Sequence, residues 1–396
     1  MRRVLPWALT IGLGCGGSSD AGPDKDPAPT KTAAPAVEPP DASDTRSAAA
    51  ADAAAPGVRE DGSIVSAVTW FHGSLEEALA EAKAQDKLVF VDVGAYWCPP
   101  CHQLDEVTFV DAAVGKRMDE RYIAVHIDAE KGEGPDVAAR YKVQAYPTIL
   151  VLEASGIEKG RIVDFVAPAD LLTALVAIDE GGNVLDKLQA AVDHDPDDLK
   201  ARYELGHAYL LQAKVKEADE HLRVVEVADP SDELGLASKV AFDRAMFATY
   251  KVEGDLPGAI EAYRTLQARF PDSPSASKAH RQIARILCEQ DKAEAAGAEM
   301  DKMLAADPED TSLRATYGWF AFRERCQQAR ALAVVEQGLK AKPDDAELLY
   351  LVAELKLQLE DRAGSASAMA KASAAEPDSA YYKRRLAELV AEAAAK

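Results

Sequence analysis

The sequence predicts an α/β domain over residues 61–180 followed by an all-α array of helix pairs over 181–396. Three observations carry that expectation. Apolar, β-branched runs alternate with helical patterns between residues 64 and 178. Beyond residue 183 strand signals stop, and Pro196, Pro230, Pro271, Pro308, Pro343 and Pro377 punctuate the chain every 34–41 residues. Residues 16–60 are nearly all Ala, Pro, Asp, Ser and Gly, with nothing to bury, so they read as a disordered tether.

A net charge of −22 leaves no basic footprint for phosphate and argues against nucleic acid as a partner. The five cysteines, Cys15, Cys98, Cys101, Cys288 and Cys326, are too sparse for a disulfide-stapled scaffold. At the amino terminus, Arg2 and Arg3 precede "VLPWALTIGLG", an apolar run too short to span a bilayer. It ends at Gly14-Cys15. Residues 1–15 resemble a bacterial lipoprotein signal, although Gly12 stands where that family prefers Leu or Val. The resemblance implies Cys15 as the lipidation site, a periplasmic-side location in the cell envelope, and membrane contact through the lipid anchor only. Gly16 after the cysteine resembles outer-membrane sorting. An ordinary cleaved signal or an uncleaved anchor are the alternatives.

In the α/β part, "SLEEALAEAKAQ" puts Leu75, Ala78, Leu79 and Ala82 on one helical face. "KLVFVDVGAYW" is the continuous apolar run of a buried central strand. A helix starts at Cys98. "YIAVHIDAE" reads as a second strand, "DVAARYKV" as a helix, "PTILVLEASGIEKGRIVDFV" as a hairpin about "ASG", and "PADLLTALVAI" as a closing helix. Together they give a sheet with helices on both faces.

In the helical part, "YELGHAYLLQAKVKEADEHLRVVEVADP" resembles the tetratricopeptide repeat through Leu205, Gly206, Tyr209, Ala218, Leu222 and Pro230. The next unit matches through Tyr250, Ala259, Tyr263 and Pro271. Later units keep Ala284, Ala296 and Pro308, then Ala331 and Pro343. About five units cover 197–378, and "SAYYKRRLAELVAEAAAK" reads as a capping helix. The resemblance implies a curved solenoid with a protein or peptide on its concave face. The plain alternative is that the repeats pack on the α/β domain. Cys288 and Cys326 fall on neighbouring hairpins and are candidates for a structural disulfide. "DHDPDD" at 193–198 lacks the calcium-loop pattern and reads as a turn with capping aspartates.

The chemistry sits in "GAYWCPPCHQ", residues 94–103. A thiol at the start of a helix faces free amides and the positive dipole end, so the Cys98 pKa should be lowered. The Cys98 thiolate would attack a disulfide and Cys101, one turn on, would resolve the mixed species. Pro99 and Pro100 have no N–H, which leaves the Cys101 amide as local donor and points to a moderately reducing couple. Asp92, in the buried strand, is costly without a task; proton transfer for Cys101 supplies one. Pro147 in "AYPTILV" fits a cis peptide that turns the preceding backbone toward the dithiol.

Residues 64–178 resemble a thioredoxin-fold domain through "VDVGAYWCPPC", "YIAVHIDAE" and "YKVQAYPTILV". With "TFVDAAVGKRMDERYIAV" they are similar to the C-terminal domain of the transmembrane thiol-reductant transporter of the bacterial periplasm and to small envelope thioredoxins. The resemblance implies Cys98 as nucleophile, Cys101 as resolving thiol, Asp92 as buried acid and Pro147 as the cis-proline. It also implies Trp97 and Tyr146 as substrate-binding neighbours, protein disulfides as substrates, an upstream dithiol protein as electron donor, and neither cofactor nor metal.

Two other chemistries share the motif. Cys98-Pro-Pro-Cys101-His102 matches C-x-x-C-H haem attachment, but a buried strand runs straight into it. The pair could be half a zinc site with His72, His102 or His126, but no second close pair exists. Without these, His102 is expected to face solvent or to tune the dithiol weakly. A plain disulfide, or a thioredoxin fold kept only for binding, is the bland alternative. The expected function is thiol–disulfide oxidoreduction of envelope proteins, in the reducing direction, with the solenoid docking the partner. The rival is a tetratricopeptide scaffold.

Overall fold

The computed structural model describes residues 55–394 except residue 183. The signal 1–15 with its lipidation candidate Cys15, and tether residues 16–54, lie outside the described residues. A short antiparallel pair, β1 (Gly57–Val58) with β2 (Ile64–Val65), begins a few residues before the boundary expected at 61.

The first domain runs α1 (Leu75–Gln85), β3 (Leu88–Gly94), α2 (Pro99–Gln103), α3 (Ala112–Arg121), β4 (Tyr122–Asp128), α4 (Gly134–Arg140), β5 (Thr148–Leu152), β6 (Glu158–Val163) and α5 (Pro168–Asp179). A π-helical turn, Leu104–Thr108, continues α2. Ser74 starts α1 with a reciprocal capping box: its hydroxyl accepts from the Glu77 amide while the Glu77 carboxylate accepts from the Ser74 amide. The four-stranded sheet has the order β4-β3-β5-β6, with β3 parallel to β4 and antiparallel to β5. Successive residues of β3 face opposite ways. Val89, Val91 and Val93 join the cluster of Leu75, Ala78 and Ala82 of α1 and Val137 of α4. Phe90 joins Leu104, Phe109, Met118, Leu171 and Leu175 on the other side. Helices cover both faces, which is why β3 is apolar throughout except at Asp92.

The helical part comprises α6 (Val184–His194), α7 (Leu199–Leu211), α8 (Val215–Ala228), α9 (Ala237–Asp243), α10 (Leu256–Arg269), α11 (Pro274–Glu289), α12 (Ala293–Ala306), α13 (Thr311–Glu324), α14 (Gln328–Ala341), α15 (Ala346–Gln358), α16 (Arg362–Ala375) and α17 (Ala380–Ala394). A π-helical stretch, Arg244–Val252, extends α9. The pairs are α7–α8, α9–α10, α11–α12, α13–α14 and α15–α16, and α17 packs on α16. Pro196 follows α6, and Pro230, Pro271, Pro308, Pro343 and Pro377 each follow the second helix of a pair. Asp198, Asp310 and Asp345 then cap the first helix of the next by accepting its amides. Gly206 is where α7 meets α8: a Cβ there would come within 2.6 Å of the Leu222 side chain.

No described helix is long and apolar enough to cross a membrane. The two parts are packed on each other. One apolar cluster runs from Trp97, Cys98 and Tyr146 of the first domain into Tyr317, Phe320, Cys326 and Tyr350 of the array.

Candidate active site

Cys98 is the N-cap of α2, and the Cys101 amide donates to its Sγ at 3.3 Å. Pro99 and Pro100 fill the first positions of the helix, where a missing N–H leaves no hydrogen bond unmade. Cys98 and Cys101 form a disulfide across a Cα–Cα distance of 5.2 Å. Gly94, at the end of β3, makes room for it: a Cβ there would lie 3.1 Å from Cys101 Sγ.

Asp92 is buried, and its Oδ2 lies 2.9 Å from His126 Nδ1 on the neighbouring strand, while Oδ1 has no hydrogen-bond partner. The parallel register of β3 and β4 sets the two residues side by side. Burial alone would lower the His126 pKa. The hydrogen bond to Asp92 and the Asp92 charge, with Asp105 and Asp128 behind them, raise it instead to about 9. Asp105, one turn past Cys101 in the π-helical segment, is pushed up to about 7, first by burial and then by the Asp92 charge. Asp92, His126 and Asp105 lie together on the face of the π-helical turn, and one oxygen of Asp92 is left without a partner.

The Tyr146–Pro147 bond is cis and leads into β5. The Tyr146 and Trp97 rings are 6.3 Å apart, and Trp97 Nε1 donates to Glu130 Oε1 at 2.9 Å. The array closes over this face. Cys98 is 0% exposed, and Trp97 and Tyr146 are buried. The Arg323 guanidinium of α13 sits 4.0 Å above the Trp97 ring. Tyr381 of α17 stacks on His102 with 3.7 Å between centroids. Arg384 donates to the Gly62 carbonyl at 2.8 Å and to Glu106 Oε1 at 3.0 Å, and Lys251 Nζ donates to the Gln144 carbonyl.

A thioredoxin-like family model matches residues 69–154. Over 94 residues the chain is 34% identical to a thioredoxin from Mycoplasma genitalium, covering 24% of this chain and 85% of that one. The chain belongs to the thioredoxin-like family. It is also 27% identical over 100 residues to a thiol:disulfide interchange protein, DsbD, of Campylobacter jejuni. That match covers 25% of this chain and 18% of the relative's length, so the chain spans under a fifth of that protein. A tetratricopeptide repeat protein from Parabacteroides merdae aligns at 17% identity and TM-score 0.35 over 51% of this chain and 76% of its own.

The thioredoxin-like domain brings Cys98, Cys101, Trp97, Tyr146 and Pro147 to one end of the sheet, with Asp92 in β3 on the face of the π-helical turn. Two expectations need revision. His102 does not face solvent. Burial under Tyr381 and the Arg384 charge push its pKa down to about 3, so it is neutral. Trp97 and Tyr146, expected to meet substrate, meet the array. Among the described residues no three His, Cys, Asp or Glu side chains gather as metal ligands, so His72, His102 and His126 are not drawn together with the cysteines. Cys288, in the last turn of α11, and Cys326, in the α13–α14 turn, form a disulfide with Cα atoms 6.3 Å apart.

Sequence reasoning missed His126 as the Asp92 partner, although a lone imidazole in an otherwise apolar strand was a visible signal. Asp105, Arg323 and Tyr381 gave none: two belong to the array, and only the docked arrangement reveals them.

Proposed function

We propose that the chain is a thiol–disulfide oxidoreductase that passes electrons from an upstream dithiol protein to disulfides of bacterial envelope proteins. The observation that carries this reading is the Cys98 N-cap, with the Cys101 amide donating to its sulfur. In the reduced protein Cys98 attacks the substrate disulfide, Cys101 displaces the substrate, and Asp92 takes the Cys101 proton. A single backbone donor to Cys98 favours the reducing direction. The array selects the partner, since whatever reaches Cys98 must displace α13 and α17 from the dithiol face. Attachment through Cys15 would hold the chain on the periplasmic side, at the outer membrane. Radiolabelled palmitate incorporation lost in Cys15→Ala supports that location, and unchanged incorporation counts against it.

The test is a glutathione titration of the full chain read at Cys98 and Cys101. A potential near about −270 mV supports a reductase, one near about −120 mV makes it a disulfide donor, and the absence of a two-electron couple defeats the proposal. The complete burial of Cys98 favours a second reading, in which the thioredoxin-like domain is a docked module of a scaffold. Insulin reduction that is equal in wild type and Cys98→Ser would select that reading.

A further inference from the structure

We propose that the Cys288–Cys326 pair is a second redox centre that exchanges electrons with Cys98–Cys101 across the docked face. The inference rests on the thiol–disulfide reading above. Three observations support it. First, Cys98, Cys101, Cys288 and Cys326 belong to one continuous buried cluster. Arg323, three residues before Cys326, covers the ring of Trp97, the residue before Cys98. Second, no outside disulfide reaches Cys98 while the array is docked, because Cys98 has no exposed surface. Within the array, the disulfide that shares this buried cluster with Cys98 is Cys288–Cys326.

Third, arginines gather around that disulfide in a chain of net charge −22. Arg281 and Arg285 precede Cys288 on α11, and Arg323 and Arg325 precede Cys326. The carboxylates among them are Glu289 and Glu324, each 3.6 Å from Arg285 Nε, Asp291 in the following turn, and Glu130 of the first domain, whose charge acts on Arg323. Burial lowers the pKa of Arg281 and of Arg323; repulsion from Arg285 adds to it at Arg281, while at Arg323 Glu324 opposes it and Arg281 adds to it. Such crowding is relieved by an anion, and an electropositive, nearly buried setting is what stabilises a leaving thiolate.

The step balances within the chain. With Cys98–Cys101 reduced by the upstream dithiol, Cys98 thiolate attacks Cys326 Sγ. The Cys288–Cys326 bond breaks and Cys288 leaves as a thiolate among the arginines. Cys101 thiolate then attacks Cys98, releasing Cys326 as a thiolate. Cys98–Cys101 is oxidised by two electrons and Cys288–Cys326 is reduced by two.

The experiment uses the full chain under limiting dithiothreitol, with N-ethylmaleimide pulses mapped by mass spectrometry. Labelling of Cys288 and Cys326 should follow that of Cys98 and Cys101 in wild type and slow by about tenfold in Cys98→Ser, which leaves the array intact. In a Cys101→Ala/Cys288→Ala variant freed of dithiothreitol and treated with oxidised glutathione, which takes up the two electrons, a Cys98–Cys326 disulfide should accumulate. Equal labelling rates at Cys288 and Cys326 with and without the Cys98 thiol, while wild-type Cys98 still cycles with glutathione, would overturn this inference alone. Failure of Cys98 to cycle in wild type would overturn the thiol–disulfide reading and this inference with it.

Discussion

Replacing Arg323 by Ala should uncover the dithiol. The guanidinium lies 4.0 Å above the Trp97 ring, within a largely desolvated interface. A desolvated contact of this kind contributes about 2 kcal/mol. Losing it from the docked state alone shifts the balance between docked and open forms by about 30-fold, at 1.36 kcal/mol per decade. Cys98 reacts only in the open form, so its modification rate reports the open fraction when reclosing is fast. Reduced full-length protein is pulsed with iodoacetamide and the Cys98 peptide is quantified over time. The Arg323→Ala rate should exceed wild type by about 30-fold, while Lys116→Ala, at an exposed ion pair with Glu120, should leave it unchanged. An Arg323→Ala rate within about twofold of wild type would mean that Cys98 is reached without moving α13, and the sealing argument would fall.

Three further outcomes are expected. Folding raises the His126 pKa from 6.5 to about 9, so its contribution to stability is complete below about 6.5 and is lost as pH rises through 9. Asp105, raised from 3.8 to about 7, contributes most below about 4 and loses its share as pH rises through 7. The urea midpoint should therefore be lower at pH 9.5 than at pH 6, and His126→Leu should flatten the alkaline part of that fall. Asp92→Asn should slow Cys101 resolution of a Cys98–glutathione mixed disulfide by about a hundredfold at neutral pH, seen by quenched-flow mass spectrometry; an unchanged rate would remove Asp92 from proton transfer. Glu354→Ala should cost about 3 kcal/mol in urea unfolding, because it removes the buried partner to which Arg385 Nε and Nη2 donate at 2.6 and 3.0 Å and leaves Arg385 only Glu388.

Local patterns made most of each part readable. The run at β3 betrayed a strand buried on both faces, and the one acid within it marked Asp92. The proline spacing announced the hairpins, because five of the six prolines follow a second helix, and after Pro196, Pro308 and Pro343 an aspartate caps the next helix. What stayed hidden was non-local. His126 became the Asp92 partner only through the β3–β4 register. Trp97 and Tyr146 look like substrate contacts when the motif is read alone. Their burial depends on Arg323, more than 170 residues away in sequence. Tyr381 was legible as part of a capping helix, but its stacking on His102 follows from the path of the whole array.

The contact between Arg384 and Gly62 ties the end of the chain to its beginning. The thioredoxin-like domain is fully synthesised at α5, about 200 residues before α17 emerges. At roughly 5–20 residues per second, that leaves the nascent dithiol uncovered for about 10–40 s. A chain cut short by proteolysis or premature termination never acquires α17. Newborn and truncated forms that lack α17 should therefore react faster at Cys98 than the full chain.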